Sequence, residues 1–365
     1  MINKKVLISG GGIAGLTLGI LLKEKGWEPT VIERDAEMRS EGYIIDFAGT
    51  GWDVAERMGL ISELQKIIYP IEALTYVDKH GEAYVSLSIV SVKKALDGKY
   101  TYLRRSDLER VLFERAQAVG LVVRFATTIQ TLKDNETEVI VTFNTGVTES
   151  YGLVFGTDGA HSRVRDLVFG PEQQFDRFLG YYVAAFHLEG YQGNIANALA
   201  IYEEPNRAFW AYSLGKNKLS VVYIFRHENI GYVPPQQRVA LLQEVYRGAE
   251  WKTQELLTQV DATAPLFFDS ATQIVMPSWS KGRIALLGDA CACLTLLAGQ
   301  GSHMAMAEAY VLARELERHN GDHKAAFATY ELKLKPATLK KQKDAVRISK
   351  FFVPSARSFA PLRRF

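Results

Sequence analysis

The stretch VLISGGGIAGLTLGILLKEKGWEPTVIER, residues 6–34, decides the fold. The apolar residues before the glycines predict a short buried strand over residues 4–9. Apolar residues then recur at helical spacing over 13–25, and Gly26 predicts the end of that helix. The segment TVIER, 30–34, predicts a second strand. A strand, a glycine turn, a helix and a strand in this order predict a βαβ unit, whose right-handed crossover makes the two strands parallel.

The glycines fit the pattern G-x-G-x-x-G between a predicted strand and a predicted helix. In this pattern Gly10 permits a tight turn, Gly12 lets backbone approach a pyrophosphate, and Gly15 lets the helix pack on the strand. The start of the helix then offers amide donors and a favourable dipole to phosphates. Glu33 can accept hydrogen bonds from both ribose hydroxyls, which predicts a dinucleotide and favours FAD or NAD over NADP. The predicted cofactor-binding residues of this unit are Gly10, Gly12, Ile13, Ala14, Gly15, Glu33 and Arg34.

Length and composition predict a globular protein of two domains. The chain has 365 residues, of which 47% are hydrophobic and 23% are charged, close to the average for globular proteins. Its net charge of +2 gives no reason to expect nucleic acid as a partner. Residues 333–365 carry ten Lys or Arg and one acid. A basic segment can bind nucleic acid or anionic lipid, but a solvated helix face is the simpler explanation.

The cysteines and the N-terminus favour a cytoplasmic protein. Cys291 and Cys293 stand too close in sequence for an easy disulfide and provide no metal-ligand set. Residues 1–22 begin as a signal peptide does, but three consecutive glycines and the lack of a small-residue cleavage site argue against export. No run reaches the roughly 18 apolar residues of a transmembrane helix. We therefore expect no metal and no stable membrane association.

The remaining chain predicts a second sheet and several helices. Four segments between residues 180 and 226 are rich in β-branched and aromatic residues and are separated by turn residues, which predicts a mostly antiparallel sheet. Residues 74–90 predict a hairpin with its turn at 79–81, and residues 35–50 predict a loop. Further helices are predicted over 51–68, 105–120, 235–259, 302–319 and 322–350, of which Pro336 can interrupt the last.

Three further motifs resemble those of one family. The sequence GTDGAHSRVR (156–165) resembles the Asp-Gly motif of class A flavoprotein monooxygenases, the p-hydroxybenzoate hydroxylase family. RIALLGDA (283–290) resembles the Gly-Asp motif of that family, and AGQG (298–301) resembles the glycine loop that follows it. The resemblance implies a Rossmann-like FAD-binding domain of the glutathione-reductase type, a second, mostly antiparallel β-sheet substrate domain and a long C-terminal helix. The expected boundaries are 1–72, 100–178 and 270–320 for the FAD-binding domain, 73–99 and 179–269 for the substrate-binding domain, and 321–365 for a C-terminal bridging helix.

The resemblance also implies roles for residues of a single FAD site. Asp289 would hydrogen-bond the ribityl chain of FAD, and Gly299, Gln300 and Gly301 would lie against the isoalloxazine ring. The helix that starts at Ser302 would direct its N-terminal dipole at the pyrimidine edge of the flavin. The resemblance further implies that Asp46, Arg105 and Asp158 contact FAD. Asp158 and Arg163 would also contact the nicotinamide cofactor, and Arg39 would contact an NADPH phosphate. For Asp46 and Arg39 an exposed loop charge is the alternative.

The Gly-Asp motif departs from the pattern of many members. Ala292 stands where they have histidine, and Thr295 stands near the place of a proline. Cys291 and Cys293 are unusual residues for this motif. Small buried hydrophobic residues are a simpler interpretation of them than redox-active thiols. This departure leaves the identity of the substrate open, but it does not change the prediction of FAD as the cofactor.

The family's chemistry implies an enzyme in which NADPH or NADH reduces FAD. O2 then forms a flavin C4a-hydroperoxide, which hydroxylates an aromatic or polyketide substrate. The protein must orient the substrate and exclude water, so no catalytic side chain is predicted. The candidate substrate residues on the β-rich segment, for each of which a place in the core of the sheet or a structural role is the alternative, are His187, Tyr202, Trp210, Tyr212, Tyr223 and Phe225.

The overall length and two segments resemble the tetracycline-inactivating monooxygenases and their relatives. These segments are IDFAGTGWDVAERMGL (45–60) and a C-terminal helix that ends in FFVPSARSF. The resemblance implies a last helix that bridges the two domains, with Val346, Phe351 and Phe352 packed inward, and we expect a monomer. The alternatives are a hydroxylase of another polyketide or small phenol, a flavin-dependent reductase of isoprenoid lipids, and a non-catalytic FAD-binding redox sensor. A halogenase would carry a Trp-x-Trp-x-x-Pro stretch, which the sequence lacks.

Overall fold

The computed structural model describes residues 3–38, 42–191, 195, 198–215, 217–260 and 266–355. The strands are β1 Lys5–Ser9, β2 Glu28–Ile32, β3 Ile44–Ala48, β4 Ala73–Val77, β5 Ala83–Ser88, β6 Tyr100–Arg104, β7 Val122–Arg124, β8 Ile129–Asp134, β9 Val139–Phe143, β10 Thr148–Tyr151, β11 Leu153–Gly156, β12 Asp176–Glu189, β13 Ala198–Glu204, β14 Arg207–Ser213, β15 Lys218–Arg226, β16 Phe267–Ile274, β17 Ser280–Lys281 and β18 Ile284–Leu286. The helices are α1 Ile13–Glu24, α2 Gly49–Arg57, α3 Ile61–Gln65, α4 Ile89–Ala95, α5 Arg105–Ala118, α6 Arg163–Val168, α7 Pro235–Val245, α8 Thr253–Leu257, α9 Asp289–Ala292, α10 Gly301–Arg318 and α11 His323–Phe352, with 3-10 turns at Glu172–Gln174 and Leu296–Ala298.

A mostly parallel sheet forms the first layer of the molecule. Its strand order is β17-β18-β11-β1-β2-β7, and all neighbours are parallel except β17 and β18. The predicted βαβ unit is confirmed as β1, α1 and β2. Val6, Leu7 and Ile8 are fully buried, as expected for a parallel strand covered on both faces. The carboxyl ends of β1, β2, β11 and β18 therefore meet at one edge, where open parallel sheets bind ligands.

A second, mostly antiparallel sheet confirms the prediction for the β-rich segment. Its strand order is β16-β12-β15-β14-β13-β4-β5, in which only the pair β13 and β4 is parallel. One face packs against α7 and α8 through side chains such as Tyr223 and Tyr246. The other face packs against the small ribbon formed by β3 and β6, through side chains such as Tyr212 and Tyr102. This second face lies toward the FAD-binding motifs.

Two expectations about local structure were wrong in part. Residues 35–50 are not all loop, because β3 pairs with β6 and α2 begins at Gly49. The predicted helix over 51–68 is divided into α2 and α3 near Gly59, which has a positive φ of 70°. The helices predicted over 235–259 are confirmed as α7 and α8, which are separated by a turn in which Gly248 has a φ of 71°.

The C-terminal helix α11 is continuous across Pro336, so the expected interruption does not occur. It packs against α10 and the 3-10 turn at Leu296–Ala298. Val346 is half-buried, and the side chains of Phe351 and Phe352 lie outside the described residues. Within the described part of the chain, none of the helices is both long and apolar enough to cross a membrane.

Candidate active site

The glycine turn after β1 leaves backbone open toward the crevice. Gly10 has a φ of 116°, and a Cβ there would lie 2.5 Å from the carbonyl oxygen of Thr157. A Cβ at Gly15 would overlap the carbonyl oxygen of Gly10, so α1 packs against the turn only with glycine at this position. Gly12 is the N-cap of α1 and provides no side-chain cap. The amides in the first turn of α1, including those of Ile13 and Ala14, therefore have no side-chain acceptor at the cap.

Glu33 lies at the carboxyl end of β2, beside the glycine turn. Its Oε2 accepts a hydrogen bond from the amide of Gly11 at 2.8 Å, and its Oε1 accepts one from the amide of Asp35 at 3.1 Å. These bonds hold the carboxylate at the position where a ribose would approach. Arg34 is exposed and forms a loose ion pair with Asp35 at 3.8 Å, and Arg39 lies outside the described residues.

Arg105 and Glu109 stand together in the first turns of α5. Nη2 of Arg105 lies 2.8 Å from Oε1 of Glu109, and the Glu109 side chain is only 4% exposed. The pair adjoins the start of α1, since a Cβ at Gly12 would lie 3.4 Å from Oε1 of Glu109. Attraction to Glu109 raises the pKa of Arg105 above its usual value. The sequence predicted Arg105 but not Glu109, although a spacing of four residues on a helix favours such a pair.

The Asp-Gly loop closes the crevice on the side of β11. Asp158 accepts hydrogen bonds from the Ser162 hydroxyl at 2.5 Å and from the Val164 amide at 3.1 Å. Burial raises the pKa of Asp158. Its carboxylate thus holds the loop that leads into α6. Asp158 and Arg163 line the same cavity, of about 140 Å³, as Glu33 and Arg105.

The stretch from Gly288 to Gly301 begins beside α1, since a Cβ at Gly288 would lie 3.3 Å from the Cβ of Ala14. Asp289 begins α9 and is exposed. Many protein atoms nevertheless surround its carboxyl group, and their desolvating effect raises its pKa, while the charge of Arg105 opposes the shift. A Cβ at Gly301 would lie 3.8 Å from Oδ1 of Asp289. Gly299 has a φ of 64°, and a Cβ there would lie 3.0 Å from Oδ1 of Asp46. The structure therefore brings Asp46, Asp289 and the glycine loop together.

His303 follows this stretch and was not singled out from the sequence. The amide of Ala48 donates to its Nε2 at 3.2 Å, and the carbonyl oxygen of Asp46 lies 3.0 Å from the same nitrogen. Burial lowers the pKa of His303, so its imidazole is neutral at physiological pH. His303 ties the first turn of α10 to β3. The signal in the sequence was a histidine two residues after the glycine loop, in the segment AGQGSH.

Comparison with known proteins identifies the family. The profile of a family described as "FAD binding domain" matches residues 3–338. The chain is 31% identical over 352 residues to a flavin-dependent monooxygenase from an unknown prokaryotic organism, covering 96% of this chain and 90% of that protein. It is 30% identical over 355 residues to a flavin-dependent monooxygenase from Legionella longbeachae, covering 96% and 90% of the two chains. The chain belongs to the family of FAD-binding, class A monooxygenases.

A solved structure supports the same assignment. The crystal structure of tetracycline destructase Tet(55) superposes with a TM-score of 0.86 at 29% sequence identity, covering 99% of this chain and 94% of that chain. The α/β fold with a parallel cofactor sheet, an antiparallel second sheet and a long C-terminal helix is thereby confirmed. The chain is an FAD-dependent monooxygenase, as the sequence predicted.

The described residues of this monooxygenase fit FAD. Gly10 and Gly15 leave no room for a Cβ, so the start of α1 packs closely on the glycine turn, where a pyrophosphate would meet backbone amides. Glu33 holds acceptors at the end of β2, and Asp289 presents an exposed carboxylate beside Gly301, where the charge of Arg105 acts on it. This donor and acceptor set suits a ribose, a pyrophosphate and a polyol arranged in one line.

The two cysteines of the monooxygenase are buried small residues. Cys291 and Cys293 are 0% and 8% exposed. Burial raises the pKa of both thiols well above the usual value, so both stay protonated. Thr295, two residues further, has a φ of 100°, which is strained for a β-branched residue. The departure from the family pattern thus coincides with a strained turn shortly before the glycine loop.

The candidate substrate residues divide between the two faces of the antiparallel sheet. Trp210 and Tyr212 lie on the face toward the ribbon of β3 and β6, where the rings of Tyr212 and Tyr102 are 6.3 Å apart. His187 shares this face through the alternation along β12, and burial lowers its pKa to about 4, so it is neutral.

Tyr202, Tyr223 and Phe225 do not reach that face. They pack on the other side of the sheet, where the ring of Tyr223 is 4.9 Å from that of Tyr246. Both faces of the sheet are covered, so aromatic side chains at odd and even positions pack in apolar clusters. These three side chains lie in the core between the sheet and the helices α7 and α8, away from the face that carries Trp210 and Tyr212.

Glu308 gives the site a predictable pH dependence of stability. It is 1% exposed, its Oε2 accepts from the Gly288 amide at 2.6 Å, and burial raises its pKa to about 8. The folded protein therefore keeps a proton on Glu308 that the unfolded chain loses near the usual pKa of about 4.5. Because of this difference, the free energy of unfolding falls as the pH rises from about 4.5 to about 8. Outside that window the contribution of Glu308 is constant.

Glu308→Gln is expected to lose less stability than wild type between about pH 5 and about pH 8, because glutamine does not titrate. Urea unfolding midpoints at several pH values measure the difference. Glu317→Gln, an exposed position on the same helix, serves as the control and should follow wild type. Parallel curves for wild type and Glu308→Gln would show that Glu308 is ionised in the folded protein.

Proposed function

We propose that this monooxygenase uses NADPH or NADH to hydroxylate a flat phenolic or polyketide substrate, and that tetracyclines are among its substrates. The observation that carries the proposal is the aromatic face between the antiparallel sheet and the ribbon of β3 and β6. This face adjoins the glycine loop, which would lie against the isoalloxazine ring. An extended ring system bound there would be close to the reacting edge of the flavin.

The wall of this face is mostly aromatic, and the carboxylate of Asp46 on β3 is close enough for its charge to act on Tyr102 and Tyr212. The hydroxyl of Tyr100 donates to that of Tyr102 at 3.1 Å, and their rings are 5.5 Å apart in an edge-on arrangement. Burial raises the pKa of Tyr102 and of Tyr212, so both phenols stay neutral. A planar ring system would bury apolar surface against these rings and find hydroxyl groups for orientation.

The 3-10 turn beside this face helps to exclude water. Leu297 is 6% exposed and packs with Ile44 and Tyr212 in one apolar cluster. When bound, FAD supplies the oxygen-transfer chemistry, and these side chains keep the reacting volume dry. The chain thus contributes orientation and desolvation rather than a proton-transferring side chain.

The relatives favour oxygen transfer and a polyketide substrate. Two proteins at 30% and 31% identity are named flavin-dependent monooxygenases, which supports oxygenation over isoprenoid reduction or a sensor role. Tet(55), a tetracycline destructase, resembles this chain over 99% of its length, which supports tetracycline as the first compound to test. The alternative substrates are another polyketide and a phenol with a single ring.

Oxidation of NADPH by the purified protein in air tests this proposal. We expect a tetracycline to stimulate the oxidation and to lose its absorbance in the same cuvette. A one-ring phenol is the comparison, because it fills less of the aromatic face. An unchanged tetracycline beside oxidation stimulated by the phenol would reject the drug as substrate. An FAD-loaded protein whose NADPH and NADH oxidation no phenol or polyketide stimulates would contradict the proposal.

A further inference from the structure

Lys341 extends from α11 to the glycine loop that would face the flavin. Its Nζ donates a hydrogen bond to Oε1 of Gln300 at 2.5 Å. Its charge also acts on the neighbouring histidine. Burial is the main cause of the lowered pKa of His303, the charge of Lys341 lowers it further, and Asp46 opposes the shift. A half-buried ammonium group from the last helix therefore belongs to the wall built by residues of the first sheet and its loops.

The backbone of α11 holds Lys341 in this place. Gln342, the next residue, is 4% exposed, and its Nε2 donates to the carbonyl oxygens of Ile274 at 2.7 Å and Cys293 at 2.9 Å. Its own carbonyl oxygen accepts from Nε2 of Gln273 at 2.8 Å. These buried bonds fix α11 against β16 and against the segment that follows Asp289. The lysine therefore reaches the loop from an anchored helix rather than as a free surface side chain.

Several charged side chains near Lys341 approach the glycine loop from different elements of the fold. Asp46 approaches Gly299 from β3, Asp289 approaches Gly301 from α9, and His303 is neutral. Gln300, the acceptor of Lys341, is the N-cap of the long helix α10, where the partial positive charge of the helix is found. Lys341 adds a full positive charge at the same end of the helix.

We propose that Lys341 is a positioning residue of the flavin site, one that holds Gln300 and stabilises the negative charge that the isoalloxazine ring gains on reduction. This inference rests on the proposed function, because it places the ring against Gly299, Gln300 and Gly301. A charge that is partly buried is screened less by salt than a surface charge. Its influence on the ring should therefore persist at physiological ionic strength.

The midpoint potential of the bound FAD tests the inference without NADPH or substrate. Lys341→Met and Lys341→Gln remove the charge, and the glutamine keeps a donor toward Gln300. We expect both to shift the potential to more negative values, because the reduced ring loses a stabilising charge. Lys341→Arg and the control Lys343→Met, an exposed position on the same helix, should keep the wild-type potential. The measurement is a spectroscopic titration against a reference dye.

The possible outcomes separate this inference from the proposed function. Loss of FAD from both neutral variants, with retention by Lys341→Arg, would also support the need for the charge. A wild-type potential in both neutral variants would overturn the inference, as would loss of FAD from all three Lys341 variants, which would indicate a structural role. A wild-type protein that oxidises no NADPH but shows the expected shifts would contradict the proposed function alone.

Discussion

Asp289→Ala is expected to purify with much less FAD than wild type and to raise the dissociation constant of FAD about 10- to 100-fold. The Asp289 side chain is exposed and stands beside Gly301, at the glycine loop that would lie against the isoalloxazine ring. Hydrogen bonds to a charged group contribute about 1.5–3 kcal/mol, and about 1.4 kcal/mol corresponds to a tenfold change in affinity. The loss of this acceptor should therefore be visible as a colourless protein. Titration of the apoprotein with FAD, followed by flavin fluorescence, gives the value.

Two companion variants sharpen this result. Asp289→Asn keeps the size of the side chain and one acceptor oxygen, and we expect a smaller loss of affinity than with alanine. Asp166→Ala removes an exposed carboxylate from α6, outside the crevice, and should bind FAD as wild type does. Full FAD occupancy in Asp289→Ala would refute the placement of the ribityl chain at Asp289.

Arg105→Ala is expected to lose both FAD affinity and about 3 kcal/mol or more of folding stability. The substitution leaves Glu109 buried without its partner at 2.8 Å, and breaking a buried ion pair from one side costs about 3–5 kcal/mol. The Arg105 side chain is 29% exposed, which places the expected loss at the lower end of that range. Urea unfolding of the apoprotein measures stability, and FAD titration measures affinity.

The double variant Arg105→Ala with Glu109→Gln separates the two roles of Arg105. Removing the charge of Glu109 should restore most of the stability, because no buried charge is left unpaired. It should not restore FAD affinity, because the guanidinium that would face the cofactor is still missing. Recovery of both properties in the double variant would mean that Arg105 serves only to neutralise Glu109.

Local spacing was sufficient to predict the glycine turn, α1 and the end of β2. Gly10, Gly12 and Gly15 stand within six residues, and the overlap that Gly10 and Gly15 avoid arises from near neighbours and from Thr157 at the end of one adjacent strand. The resemblance of the later motifs then located Asp289 and the glycine loop on the same crevice. These features depend on short-range geometry or on several residues in a fixed order.

Contacts between distant segments could not be derived from spacing. His303 meets β3 across 257 residues of sequence, and Lys341 meets Gln300 across 41. The short strand β3 was missed because its pairing partner, β6, lies more than fifty residues away and Asp46 interrupts its apolar pattern. No local signal specifies such partners.

The division of aromatic residues between sheet faces shows a different limit. Alternation correctly separates Tyr223 from Val222 and Ile224, but it does not say which set faces the flavin. Because both faces of the sheet are buried, the hydrophobicity of the side chains does not show which face lies toward the flavin. The burial of Tyr223 under α7 and α8 could be found only from the packing of helices outside the strand.

The most direct test of the account is to follow oxygen from O2 into the product. The purified, FAD-loaded protein would be supplied with NADPH, a tetracycline and isotope-labelled O2, and the product would be analysed by mass spectrometry. The account predicts one labelled oxygen atom in the product, with the second released as water, and it predicts that Asp289→Ala forms far less of this product. Consumption of the tetracycline in the absence of O2, or a product without label, would contradict it.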